Sequence, residues 1–192
     1  MSITNGVNIS CDDLQSSGGI RNILLRTWTA GDVISYSNTA SSHAISSIQA
    51  AGVDATWFNY EFKNEQPSLS VTASRENGST SFECSLTFMM PQMTNNKGAA
   101  IMGLLDNCSM AIAVGNNGIH YVLGVSQKYS NAADSVRNQT FTTMTSAEGA
   151  SGAAYNDENG WTVTMGCKQW EAPRVYTGDI TLYATSSTST TT

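Results

Sequence analysis

The chain is 192 residues long with a formal net charge of −6, and only 12% of its residues are charged, against about 25% in an average soluble protein. Its nine Lys and Arg residues are scattered from Arg21 to Arg174 without a cluster, which excludes a protein that grips phosphate, whether of nucleic acid or of an anionic membrane. No apolar run approaches the roughly 20 residues of a membrane-spanning helix.

A chain of this length fits one domain with a sizeable core. Ser, Thr, Asn, Gly and Ala take the place of the missing charge. Such a surface suits a protein covered by partners, or one that must not attract ions; a neutral secreted domain is the alternative. The segment from Met1 to Gly6 has no basic stretch and no apolar core, so synthesis in a cytoplasm is expected.

Residues 1–19 are polar and end in Ser16-Ser17-Gly18-Gly19. They read as a flexible lead-in with one short apolar element. A strand is predicted over Ile20 to Trp28, with Ile23 and Leu25 opposite Leu24 and Arg26. Weaker strands follow at Val33 to Tyr36 and Ala44 to Ile48. From Thr56 to Lys63, Phe58, Tyr60 and Phe62 alternate with Trp57, Asn59, Glu61 and Lys63, the mark of a sheet with one wet or partner-facing side. Pro67 opens a strand over Ser68 to Arg75. Leu69, Val71 and Ala73 face one way in it; Ser68, Ser70, Thr72 and Ser74 face the other. Asn77-Gly78 is a hairpin turn.

The strongest patterns lie between Ser79 and Val125. Phe82, Cys84, Leu86 and Phe88 alternate with Ser81, Glu83, Ser85 and Thr87, the period of a half-buried strand. Pro91 stops it, since proline cannot continue a ladder. Thr94 is placed to cap a helix over Asn95 to Asn107, whose stripe is Ala100, Ile101, Leu104 and Leu105. A strand over Ser109 to Val114 puts Met110, Ile112 and Val114 on one face. The turn Asn116-Asn117-Gly118 leads into a strand over Ile119 to Val125, alternating Ile119, Tyr121, Leu123 and Val125.

Residues 126–159 are the least regular and read as a long loop or arm that orders against a neighbouring subunit. Asn159-Gly160 closes the arm. Trp161, Val163, Met165 and Cys167 then alternate with Thr162, Thr164 and Gly166 in a strand. Val175 to Ala184 is a last strand candidate, and residues 185–192 form a mobile Ser/Thr tail. Many short strands, tight turns and one helix predict a mainly β fold: two packed antiparallel sheets, a sandwich or partial barrel, with one helix at its flank.

Catalytic chemistry is hard to find. His43 sits in a Ser-rich loop, and His120 faces away from Ile119 and Tyr121; neither has a partner pattern for acid–base work. No metal-ligand spacing occurs, and Asn156-Asp157-Glu158-Asn159-Gly160 reads as a turn rather than a calcium loop. No phosphate loop or nucleophile elbow is present. Neither catalytic, cofactor nor metal residues are assigned. Cys84 and Cys167 face apolar sides and read as buried thiols in a reducing compartment, a secreted disulfide framework being the alternative. Glu61 and Glu83 would suit a glycosidase only if their strands were neighbours. Trp28, Trp57, Trp161 and Trp170 would suit a sugar-stacking module, although Trp161 opens an apolar face. The face bearing Ser70, Thr72, Ser81, Glu83, Ser85 and Thr87 is polar and short in reach, a lining that repels or ignores phosphate rather than binding it.

The order of elements resembles the tail tube proteins of long-tailed bacteriophages, whose fold is shared by the inner tubes of contractile injection systems. The resemblance rests on Gly18-Gly19-Ile20-Arg21-Asn22-Ile23, on Trp57-Phe58-Asn59-Tyr60-Glu61-Phe62, and on the Asn77-Gly78 hairpin. It continues through Phe88-Met89-Met90-Pro91-Gln92-Met93, Asn117-Gly118-Ile119-His120-Tyr121-Val122-Leu123-Gly124 and Asn159-Gly160-Trp161-Thr162-Val163-Thr164. It implies hexameric rings, closed by strands from every copy around a channel and stacked into a tube that conducts DNA without binding it specifically. The partners it implies are further copies of the chain and other tail proteins: sheath or tail tip, and tape measure. Location in the virion tail follows, after synthesis in the host cytoplasm. The face just described is then expected to line the lumen. Another β-sandwich virion component (decoration or tail-completion) and a carbohydrate-binding module are the alternatives.

Overall fold

Where this sequence alternates apolar and polar residues, its strands bury one side; where it runs continuously apolar, they bury both. The computed structural model describes residues 18–29, 31–37, 43–49, 57–62, 67–127, 140–154 and 156–180. Among them are β1 (Ile20–Thr27), β2 (Val33–Tyr36), β3 (Ala44–Gln49), β4 (Phe58–Glu61), β5 (Ser68–Glu76), β6 (Ser79–Pro91), α1 (Asn95–Asp106), β7 (Ser109–Gly115), β8 (His120–Leu123), β9 (Thr143–Ala150), β10 (Gly160–Gln169) and β11 (Arg174–Tyr176). They form a seven-stranded sheet, ordered β2-β3-β11-β8-β7-β1-β4, and a four-stranded sheet, ordered β5-β6-β10-β9. Among the described residues the fold is mainly β with one helix, as the sequence implied.

The first core lies between the sheets. Ile23 and Leu25 of β1, with Ala111 and Ala113 of β7, meet Cys84, Leu86 and Phe88 of β6 and Val163, Met165 and Cys167 of β10. Tyr60 of β4 and Phe62, just past the end of that strand, close it through ring contacts with Phe88 at 6.2 and 5.1 Å. The second core lies on the far face of the seven-stranded sheet, where Leu24, Ile45, Met110, Ile112, Val122 and Tyr176 cluster with Trp57 and Phe141. β7 feeds both cores, which is why nearly every one of its residues is buried.

Local chemistry sets the boundaries. Asn77 (φ 48°) and Gly78 (φ 81°) form the β5–β6 turn, using the positive-φ tolerance of those residues. Thr94 occupies the N-cap position of α1 but makes no side-chain cap bond; the Lys97 amine instead holds the Pro91 carbonyl. Ile101 and Leu104 are buried, whereas Leu105 is 55% exposed. The expected stripe is narrower because α1 lies at the rim of the sandwich and covers it with one edge only. Strand β8 ends at Leu123, since Gly124 turns with φ +84° and a Cβ there would meet Thr142 at 2.8 Å. Val125 therefore joins Val122 in the second core instead of continuing the Tyr121–Leu123 side.

The expected arm is corrected in part. Residues 143–150 are not a loop but β9, paired along β10 from Gly166↔Thr143 to Gly160↔Ala150. Residues 128–139 and residues 1–17 of the expected lead-in (1–19) lie outside the described residues, as do the Ser/Thr tail and the part of the last strand candidate beyond residue 180.

Candidate functional site

The six polar residues singled out in the sequence fall on one surface. β5 pairs with β6 so that Ser70 lies opposite Ser85, Thr72 opposite Glu83, Ser74 opposite Ser81 and Ser68 opposite Thr87. Their neighbours Cys84, Leu86 and Phe88 are buried between the sheets, so alternation turns all six outward. β10 extends the surface: Lys168 lies opposite Glu83, Gly166 opposite Ser85 and Thr164 opposite Thr87. On its other side Thr164 meets Ser146 and Thr162 meets Glu148 of β9.

The hydroxyls bond to one another and to backbone. Ser74 Oγ and Ser81 Oγ are 2.9 Å apart, Thr87 Oγ1 and Thr164 Oγ1 are 3.3 Å apart, and Thr145 Oγ1 donates to the Thr164 carbonyl at 3.1 Å. Glu83 is paired with Lys168 at 3.1 Å, with both side chains more than half exposed. The surface at its centre is therefore neutral. Sequence reasoning singled out Glu83 and missed Lys168, whose place opposite Glu83 follows from the Cys84–Cys167 register alone. A shallow depression lies over Gly166, rimmed by Thr72, Glu83, Ser85, Thr143, Thr164 and Lys168.

Both edges of this sheet, β5 and β9, lack a strand neighbour among the described residues. They are long, at nine and eight residues, and largely exposed. Because each of the three pairings is antiparallel, β5 and β9 run in opposite directions.

The other candidates disperse. Glu61 accepts from Asn59 Nδ2 at 2.9 Å on the exposed side of β4, while Tyr60 and Phe62 point into the first core. Glu61 and Glu83 thus lie on opposite outer faces of the sandwich, and the glycosidase pair does not form. Trp57 is 2% exposed, Trp28 stacks on Phe141 at 4.9 Å and Trp161 packs on the first core; Trp170 is half-buried. They make no shared row. His43 Nε2 donates to the Ala172 carbonyl at 2.8 Å, and His120 sits opposite Val114 on β8. Cys84 and Cys167 face each other across β6 and β10. Hydrogen bonding with Cys167 and burial push the Cys84 thiol far up, so it stays protonated. Cys11 lies outside the described residues. Asp157 accepts from the Ala153 and Ala154 N–H groups at 2.8 and 2.7 Å, which holds its carboxyl below the usual range; the segment is a turn.

The chain matches no protein family, no curated protein and no solved structure. Among the described residues no group of three or more His, Cys, Asp or Glu is placed to hold a metal ion, and no helix is long and apolar enough to cross a membrane.

Two buried polar assemblies were also invisible in the sequence. Arg174 donates to both Glu171 carboxylate oxygens at 3.1 and 2.9 Å and to Gln127 Oε1 at 2.7 Å, with its guanidinium over the Tyr36 ring. Burial opposes ionisation of Glu171, but Arg174, the Gln127 N–H and His43 together outweigh it and hold the carboxyl below its usual range. Gln169 is fully buried. It accepts from Gly124 N at 3.2 Å and donates to the Glu171 carbonyl at 3.0 Å, tying the end of β10 to the exit of β8. Both assemblies brace the sheets and present no open cleft with a nucleophile.

Proposed function

We propose that the chain is a structural, non-enzymatic subunit of a bacteriophage tail tube. Copies related by rotation about a channel join the β5 edge of one four-stranded sheet to the β9 edge of the next. The hydroxyl face lines the lumen, and hexameric rings stack into a tube that conducts DNA in the virion tail. Its partners are further copies of itself, the tape measure, and sheath or tail-tip proteins.

One observation supports this reading: a sheet of four strands whose two long edges lack a strand neighbour among the described residues and whose outer face is lined by hydroxyls, carries acidic Glu76 and Glu148, and has its central Glu83 paired with Lys168. Rotation about the channel leaves strand direction unchanged. An even count of antiparallel strands therefore presents β9 antiparallel to the neighbouring β5, and every seam repeats the pairing found inside each sheet. Closure also satisfies edges that otherwise invite aggregation. A lining of mutually bonded hydroxyls, with its central carboxylate neutralised by Lys168, offers phosphate nothing to grip.

Light scattering with negative-stain imaging tests this. Purified chain is expected to form hollow rings or stacked tubes. Ser70→Pro and Val71→Pro, made separately, sharpen the test, because adjacent N–H groups of a strand point to opposite sides. The variant losing only the N–H that points away from β6 should fold and fail to assemble. A wild type that stays monomeric at high concentration, or assembly that survives both prolines, would sink the proposal. A decoration protein would instead give a small oligomer that does not stack.

A further inference from the structure

The two flanks of the sandwich end differently. On the β9 side α1 fills the gap between the sheets: Ile101 and Leu104 enter the first core, and the helix packs against β9. Asn96, Ala100, Gly103 and Asn107 face a groove toward Phe58 and Tyr60. Helical spacing puts Met102 and Leu105 on the opposite flank, beside β9, and both are more than half exposed. On the β5 side no described helix fills the gap. Leu69 and Val71 lie opposite Leu86 and Cys84 and so turn inward, yet Val71 is 42% exposed. Ala73 and Arg75, next on the same face, are exposed as well. Beneath Leu69 and Val71 runs a groove of about 520 Å³, lined also by Ile20, Pro67 and Tyr121.

We propose that the α1 flank bearing Met102 and Leu105 docks beneath β5 of the neighbouring copy. The docking rests on the β5–β9 seam of the proposed tube and adds a second layer to it. Three features make the occupant another copy of this chain. First, both unfinished surfaces lie on the inner side of one sheet, at its opposite ends. A single seam brings them together, and every copy uses both. Second, their directions agree. Met93, just before α1, lies over Gly149, and Ser109, just after it, bridges to Thr142, so α1 runs antiparallel to β9. A β5 joined antiparallel to that β9 therefore runs parallel to the helix. The helix, at about 18 Å, is nearly as long as the row from Leu69 to Arg75, at about 20 Å. Third, their charges agree. The inner row of β5 ends at Arg75, and α1 ends at Asp106, which is exposed and four residues beyond Met102 on the same flank. With the two elements parallel, Met102 and Leu105 cover Val71 and Ala73, and the opposite charges meet at the same end.

Cross-linking within assembled rings tests the docking. Full-length Val71→Cys and Leu105→Cys chains are mixed, assembled and treated with a short bismaleimide, so that only contact between copies links position 71 to position 105. Negative-stain imaging of the same sample reports whether rings form. Rings that yield the 71–105 cross-linked peptide in mass spectrometry are expected. Rings without that peptide would overturn the docking and leave the seam standing. A wild type that forms no rings would overturn the seam, and the docking with it. Leu105→Asp gives a second readout. At this exposed position it should leave circular dichroism unchanged and raise the concentration needed for assembly at least tenfold; assembly at the wild-type concentration would also overturn the docking.

Discussion

In the seven-stranded sheet Arg26 and Asp32 meet at 2.6 Å with side chains 4% and 0% exposed; in the four-stranded sheet Lys168 and Glu83 meet at 3.1 Å with side chains 63% and 62% exposed. The chemical pair is the same, and burial separates the consequences. The buried pair has been stripped of water, so each partner depends on the other. The exposed pair remains hydrated, and its attraction is screened by salt. The seven-stranded sheet, packed on both faces along its central strands, uses charge as an internal bolt. The four-stranded sheet keeps one face wet and uses charge to cancel charge.

Breaking the buried pair tests this contrast most severely. Asp32→Ala strands the Arg26 guanidinium in the second core and should cost about 3–5 kcal/mol in urea unfolding. Converting both partners to apolar residues should recover most of that loss; no recovery would mean that Asp32 acts chiefly through its other bond, to Thr29 N at 3.2 Å.

An intermediate effect is expected at Glu171, whose carboxyl is half-buried against Arg174. Glu171→Gln should cost about 1–2 kcal/mol, typical of a bond to a charged group discounted for partial exposure. The folded carboxyl titrates below its unfolded value. Its contribution is thus complete above the unfolded value and is lost as pH falls through the folded one. The variant should flatten the acid limb of the stability profile, and an unchanged limb would remove Glu171 from the argument.

The smallest effect belongs to the exposed pair. Glu83→Gln or Lys168→Gln should change stability by less than about 0.5 kcal/mol, and that small difference should shrink further as salt rises. A loss comparable to that of Asp32→Ala would erase the distinction between the sheets.

Strands with unbroken alternation were legible in the sequence. β6 buries Cys84, Leu86, Phe88 and Met90 at strict spacing of two, and the outward set followed from the same count. β9 was not legible, for a physical reason. A register shift between Thr164 and Met165 places Thr145 in a bulge, so its inward residues are Met144 and Ala147. Their separation of three matches neither a strand nor an amphipathic helix, and as an edge strand it needs few β-branched residues. Arg26 was assigned to its correct face, but its burial depended on Asp32, six residues on, folding beneath it. Gly124 hid the change of core between Leu123 and Val125, since a turn at a single glycine leaves the apolar count intact. Lys168 was missed because a polar surface is assembled from two strands distant in sequence.

The place of β11 has a consequence for the order in which the molecule is made. This short strand follows every other described element in the chain, yet it lies inside the seven-stranded sheet, parallel to β3 and antiparallel to β8. The β2–β3 hairpin therefore has no sheet to join until Arg174 to Tyr176 has left the ribosome. Pairing residue 44 with residue 175 is among the most non-local closures available to the chain, and such closures are slow. The four-stranded sheet, by contrast, needs nothing beyond β10. Its free edges can form while the rest of the fold is still unfinished, so a nascent subunit is most vulnerable to wrong pairing in the interval before β11 arrives.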